Sequence, residues 1–223
     1  MAAFPTTRWS LIRASQQPPR DAAAAWSALV QDYRPAIVAY FRRGTLAREA
    51  EDLAQEFLLA SMQDGWWARA DSEFGSFRRF LLALLKRFLA NRSSAAQHRL
   101  EQTGDIDDLR ISADSPEAEF DLQFALCLTR SAFDALQQRY AAEGKTELFQ
   151  NLQAWLGEPP AHGELAALAA RLAVAPNTLA VQLKRLRQRF RQAIEAALAE
   201  LCEDRTQRDA DLTALRQALA GRR

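Results

Sequence analysis

The segment Gly75 to Arg99, GSFRRFLLALLKRFLANRSSAAQHR, constrains the fold more than any other stretch of this chain. Phe77, Phe80, Leu81, Leu84, Leu85, Phe88 and Leu89 return at intervals of three and four, the period of one helix face. Arg78, Arg79, Lys86 and Arg87 fall away from the centre of that face, Arg92 and Arg99 lengthen the positive run, and no Asp or Glu interrupts it. A helix of this kind must bury one side against other elements and leave the other side cationic. Such a surface is either a solvated basic face or a seat for a polyanion.

The rest of the chain sets the class. Ala, Leu, Arg, Gln and Glu dominate and Gly and Pro number only 8 each in 223 residues. No stretch sustains the β-branched alternation of a strand, so the fold is expected to be all-α. The length suffices for one large or two small domains, each with its own core. The formal net charge of +1 conceals segregation, because basic runs at 75–99 and 184–191 flank an acidic stretch at 101–121. Cys127 and Cys202 lie far apart in apolar helical patterns, with no second Cys or His at ligand spacing, as thiols of a reducing compartment do. The first residues lack an apolar run long enough for a signal peptide, and Lys86 and Arg87 break the longest leucine-rich run. A soluble cytoplasmic protein with no membrane span is expected.

Met1 to Arg8 reads as an arm, and Pro18 and Pro19 interrupt the short turn available to Trp9–Ala14. Asp21 is suited to cap a helix through Arg43, with Trp26, Leu29, Val30, Tyr33, Ile37, Val38, Tyr40 and Phe41 as its apolar side, Pro35 as a kink point and Gly44 as its stop. After a cap at Thr45, the helix Leu46 to Gln63 sets Leu46, Ala50, Leu53, Ala54, Phe57, Leu58 and Ser61 on one side. Glu49, Asp52 and Glu56 form a ridge on another, with Gln55 beside them. Like charges stacked this way cost roughly a few tenths of a kcal/mol per pair unless a cation or solvent answers them. The loop Gly65 to Ser76 then carries Trp66, Trp67 and Phe74. These aromatics are either a lid on the core or a surface for unpaired bases, each such stack being worth about 1 to 3 kcal/mol.

Thr7-Arg8-Trp9-Ser10, Glu51-Asp52-Leu53-Ala54-Gln55-Glu56-Phe57 and Gly75-Ser76-Phe77-Arg78-Arg79-Phe80-Leu81-Leu82 follow one another in an order and spacing that resembles region 2 of the extracytoplasmic-function (ECF) sigma factors of RNA polymerase. The resemblance implies that Glu49, Asp52, Gln55 and Glu56 face the β′ subunit of the polymerase core. It implies that Trp67 and Phe74 line a pocket for a flipped base of the minus-ten element, and that Arg78, Arg79, Lys86, Arg87 and Asn91 meet the DNA strand. That chemistry suits the residue types, since reading melted DNA takes an aromatic wall with polar donors and holding a strand takes unopposed cations. Arg87 stands where many relatives have Asn.

Beyond Leu100, Asp105, Asp107, Asp108, Asp114, Glu117 and Glu119 face the single Arg110, a composition suited to a linker. It is either a solvated spacer or a mimic of nucleic acid along the polymerase cleft, the path that the resemblance implies. Helical pattern resumes at Phe120–Tyr140, with Leu122, Ala125, Leu126, Thr129, Phe133 and Leu136 in register, and again at Thr146–Leu156. His162 to Arg191 then reads as helix, tight turn, helix: Leu165, Leu168, Ala169 and Leu172, Val174 in the turn, and Leu179, Leu183 and Leu186. Ala169 is small where two helices cross closely, and Pro176 suits a first helical turn. This half resembles the helix-turn-helix of sigma region 4, which reads the minus-thirty-five element. The resemblance puts Asn177, Thr178, Gln182, Lys184, Arg185 and Arg187 at the DNA, with Arg189 and Arg191 as further phosphate contacts. Ala173 replaces the usual turn glycine, and Ala180, Val181 and Gln182 stand where Lys, Ser or Arg is frequent, so base readout is expected to differ there.

The expected organisation is therefore a region 2-like domain over 1–99, an acidic linker over 100–119, a region 4-like domain over 120–201 and a C-terminal helical tail over 202–223. The tail's Leu212, Leu215 and Leu219 are expected to pack on the preceding helix rather than to make a separate regulatory contact. The implied partners are core RNA polymerase, through its β′ and β subunits, and promoter DNA, with no cofactor and no metal. Whether an anti-sigma factor, a regulatory kinase or the tail controls activity is not written in the residues. An enzyme is disfavoured, since His98 and His162 are the available imidazoles and no Gly-rich phosphate loop is present. A helix-turn-helix regulator that is not a polymerase subunit, or a helical signalling module, would each explain part of the pattern.

Overall fold

The computed structural model describes residues 19–42, 49–66, 76–103, 116–202 and 204–221. The fold is all-α. In chain order the helices are α1 (Pro19–Arg42), α2 (Ala50–Gln63), α3 (Phe77–Thr103), α4 (Pro116–Ala142), α5 (Thr146–Leu152), a 3-10 turn (Gln153–Trp155), α6 (Glu164–Arg171), α7 (Pro176–Ala199) and α8 (Arg205–Ala220). Among the described residues the one extended pairing outside helices is an isolated antiparallel bridge between Ser76 and Cys202. No single helix among them is long and apolar enough to cross a membrane.

The helices gather into two compact units, Met1–Cys127 with Leu198–Arg223, and Leu128–Ala197. The first unit is built around the C-terminal half of α1, where Ala36, Ile37, Val38, Ala39, Tyr40 and Phe41 are all buried. A helix apolar on every side has to be surrounded, and aromatic rings do the surrounding. Tyr33 lies 4.7 Å from Phe77 and 5.4 Å from Phe124, Phe41 lies 5.8 Å from Phe88, and Phe57 lies 5.5 Å from Phe88. Burial, aided by the nearby charge of Glu117, pushes the Tyr40 hydroxyl up to about 12. α1 continues through Pro35. The expected stop at Gly44 and cap at Thr45 lie outside the described residues.

Two segments sit differently from the sequence expectation. Phe120 and Phe124, expected to open the second domain, belong to the first unit and are buried with Tyr33 and Tyr40. The tail also belongs to the first unit: the Phe77 amide donates to the Leu201 carbonyl at 2.9 Å, and Leu215 of α8 is buried. Asp204 caps α8 by accepting from the Gln207 amide at 2.8 Å.

In the second unit Leu136 and Tyr140 of α4, Phe149 and Leu152 of α5, Leu168 and Ala169 of α6 and Leu179, Leu183 and Leu186 of α7 form one core. Ala169 is fully buried at the crossing where a small side chain was expected. α6 and α7 meet at 109° through the residues 172–175, within the range of helix-turn-helix motifs. The turn is a Schellman motif: the Ala173 amide donates to Ala170 and the Val174 amide to Ala169. Ala173 occupies its left-handed position with φ of 52°, the conformation that the absent glycine would have taken more easily.

Candidate nucleic-acid interface

On α2 the predicted apolar side is the buried one: Ala50, Leu53, Ala54, Phe57, Leu58 and Ser61 face the core. Glu49, Asp52, Gln55 and Glu56 are all exposed, and the same face runs on to Leu59 and Met62, which are 47% and 52% exposed. The ridge is not wholly unanswered. Glu56 pairs with Arg92, while Glu51 is held between Arg34 at 2.7 Å and Arg42 at 2.9 Å. Exposed pairs like these contribute about 0 to 1 kcal/mol each, so they orient side chains more than they stabilise the unit.

α3 buries Phe77, Phe80, Leu81, Leu85 and Phe88. Its N-terminus is fixed by the buried Ser76, whose hydroxyl accepts the Arg79 amide at 3.3 Å. Arg79, Lys86, Arg87 and Asn91 are exposed. Lys86 pairs with Glu117 at 2.9 Å, whereas Arg87 enters no ion pair among the described residues. Arg78 departs from the expected strand-holding role. Its side chain is 11% exposed, its Nε and Nη2 donate to the two carboxylate oxygens of Asp121 at 2.8 and 2.5 Å, and its Nη1 donates to Asp211 at 2.9 Å. Burial weakens the Arg78 charge, but the hydrogen bonds and charges of Asp121 and Asp211 outweigh it and raise the pKa. A guanidinium that is largely buried and answered by two carboxylates has its charge already engaged within the unit.

Asp211 was not identified from sequence as a functional residue, although a signal existed. It precedes Leu215 by one turn and so falls in the apolar register of α8, where a carboxylate has to find a buried cation. Near it, the Cys202 thiol donates to Asp211 at 3.8 Å. Burial and the Asp211 charge push that thiol up to about 12, so it is protonated and unreactive.

Of the loop aromatics, Trp66 packs 5.8 Å from Phe57 and 6.4 Å from Phe88, as a lid on the core. Trp67 and Phe74, the expected base pocket, lie outside the described residues, as does most of the expected acidic linker, while Arg99 falls within α3.

In the second unit Asn177, Thr178, Ala180, Lys184, Arg185 and Arg191 are exposed on α7, and Gln182 is half-buried. Arg187, expected at phosphate, is instead committed inside the unit: its Nε donates to the Trp155 carbonyl and its Nη2 to the Glu158 carbonyl, both at 2.9 Å. Arg189 lies 5.3 Å from the centre of the Tyr140 ring and pairs with Glu143 at 3.1 Å. Lys184, Arg185 and Arg191 enter no ion pair among the described residues, so the cations available to a polyanion on α7 are these.

Comparison with family models, curated proteins and solved structures gives no match for this chain.

Proposed function

We propose that this chain is a promoter-specificity subunit of bacterial RNA polymerase of the ECF sigma type, which joins the core enzyme and directs it to a small set of promoters without catalysing a reaction itself. The observation that carries the reading is a pairing within one chain. A helix-turn-helix with a 109° crossing and exposed cations on its second helix occupies one unit, and an acid-edged helix followed by a basic helix occupies the other. On this reading Asp52, Gln55 and Glu56 form the polymerase-facing edge, with Leu59 and Met62 extending it as an apolar rim. Arg79, Lys86, Arg87 and Asn91 offer cations and an amide to promoter DNA. Joining two DNA-contacting units in one chain raises the effective concentration of each for a promoter that the other has already engaged.

One observation favours a second reading, a helix-turn-helix regulator that never joins the polymerase. Asp121 and Asp211 withdraw Arg78 from the basic surface of α3 and thin the charge available to a strand. Run-off transcription with purified core polymerase and genomic fragments separates the two. A sigma factor yields discrete transcripts that core alone does not, and a regulator yields none. Asp52→Arg combined with Gln55→Arg, which leaves the Glu56–Arg92 pair alone, is expected to weaken capture of core polymerase by about tenfold or more by reversing one charge of the edge and adding a second cation beside it. Undiminished capture together with absent transcripts would exclude the sigma reading.

A further inference from the structure

The outward side of α7 changes character along its length. Leu179, Leu183 and Leu186 turn into the core, so Asn177, Val181, Lys184 and Gln188, spaced at four, three and four residues, form the stripe opposite it. All are exposed, Val181 at 47%. Over the first two turns this surface carries no charge, only the Asn177 amide, the Thr178 hydroxyl, the Ala180 methyl and the Val181 isopropyl group. Cations begin at Lys184 and continue through Arg185 and Arg191. In a helix-turn-helix it is the N-terminal turns of the second helix that reach base edges, while flanking cations sit at phosphates.

The residue types restrict what such turns can select. Guanine is read by Arg or Lys at its O6 and N7, and the cytosine amino group by Asp or Glu. Neither kind of side chain is present between Asn177 and Val181. An Asn amide instead matches the N6 donor and N7 acceptor of adenine, and an aliphatic group matches the 5-methyl of thymine. We infer that the first two turns of α7 select A·T pairs in duplex DNA, Asn177 reading an adenine and Val181 a thymine methyl, with Lys184, Arg185 and Arg191 holding the phosphates. The inference rests on the reading of α6 and α7 as a duplex-binding helix-turn-helix. Asn177 and Val181 are separated by about 6 Å along the helix axis, so their targets are neighbouring base pairs in the groove.

The test is selection of binding sites from a randomised duplex pool by the full chain, at low salt, with and without added core polymerase. The chosen duplex is then remade with deoxyuridine in place of each thymidine. Expected are A·T pairs at two nearby positions, a loss of about fivefold on removing the critical methyl, and a clearly smaller loss in Val181→Ala, whose shorter side chain withdraws from the base. Asn177→Ala should relax the choice at the adenine while leaving the thymine preference intact. Both side chains are exposed, so the circular dichroism of the variants should match that of the parent. Selection of G·C pairs at these positions, or equal deoxyuridine sensitivity in Val181→Ala, overturns the inference and leaves the helix-turn-helix reading standing. Failure to enrich any duplex under either condition overturns both.

Discussion

Arg78 shows how a residue's surroundings can reverse the role its sequence suggests. In the string Phe77-Arg78-Arg79-Phe80 the two arginines are indistinguishable, and the resemblance gives both to DNA. The fold separates them: Arg79 is 50% exposed and stands 3.7 Å from Asp211, while Arg78 is enclosed by Asp121 and Asp211. Removing Arg78 would leave Asp211, 1% exposed, with its charge largely uncompensated. Breaking a buried ion pair by deleting one partner costs about 3 to 5 kcal/mol. Arg78→Ala is therefore expected to lower the stability of the first unit by that order in urea denaturation, followed by tryptophan fluorescence in a Trp155→Phe background so that the second unit is silent. A DNA-contacting role would predict the opposite pattern, unchanged unfolding with weakened DNA binding. Some residue-level features were legible. Ala169 was marked by its size and Ala173 by the glycine it replaces, because a close helix crossing and a left-handed turn each impose a local demand that one side chain reveals. The partners of Arg78 lie 43 and 133 residues away, beyond any periodic pattern.

Helices were the legible scale, because the three-and-four spacing that identifies them also drives their burial. Among the described residues, α2, α3, α6 and α7 turn most of the predicted leucines and phenylalanines into their cores, with Leu84 and Leu89 of α3, Leu165 of α6 and Leu172 at its end half-buried. Their ends were less legible, since α4 begins at Pro116, inside the stretch whose acidity suggested a linker, and α3 runs on to Thr103. In α4, Pro116 suits a first turn, and Glu117 and Glu119 suit the positive end of a helix dipole. Acidic composition therefore signalled a helix start as much as a solvated spacer. The other end of α4 supports a prediction of its own. There Glu143 accepts from Lys145 at 2.7 Å and pairs with Arg189 of α7 at 3.1 Å, joining two elements of the second unit. These hydrogen bonds, Lys145 first and Arg189 next, hold the Glu143 carboxyl down at about 2 against an ordinary 4.5. A carboxylate whose pKa falls on folding stabilises the folded state above its unfolded value and loses that contribution as pH falls through the folded one. The second unit should therefore lose stability as pH drops from 4.5 towards 2. Glu143→Gln should flatten that part of the profile, read from the thermal transition of Trp155, which packs against this core. An identical slope in the variant would assign the acid sensitivity to other carboxylates.

At the scale of the whole molecule, the chain order of the two units is nested rather than sequential: the first takes both Met1–Cys127 and Leu198–Arg223, and the second is the segment between them. The sequence suggested beads on a string, a first domain, a linker, a second domain and a tail, because helical periodicity reports which face of a helix is buried and not against what. Leu212, Leu215 and Leu219 announce an apolar side of α8 equally well whether it covers α7 or returns to α3. Asp211 resolves the matter physically, since its cation, Arg78, belongs to the first unit. Deleting 203–223 should therefore act far from the deletion in sequence. It removes Asp211 and the buried Leu215 and leaves Arg78 with Asp121 alone. The lost ion pair and apolar burial together amount to about 3 kcal/mol or more. The urea transition of the first unit should move down by that amount while the Trp155 transition of the second unit stays where it was. Asp211→Asn, with α8 retained, separates the contributions: it removes the charge and keeps the leucines, so its loss should be smaller than that of the deletion. If the deletion instead lowered the Trp155 transition and spared the first unit, α8 would be an extension of α7, and the nested arrangement would be wrong.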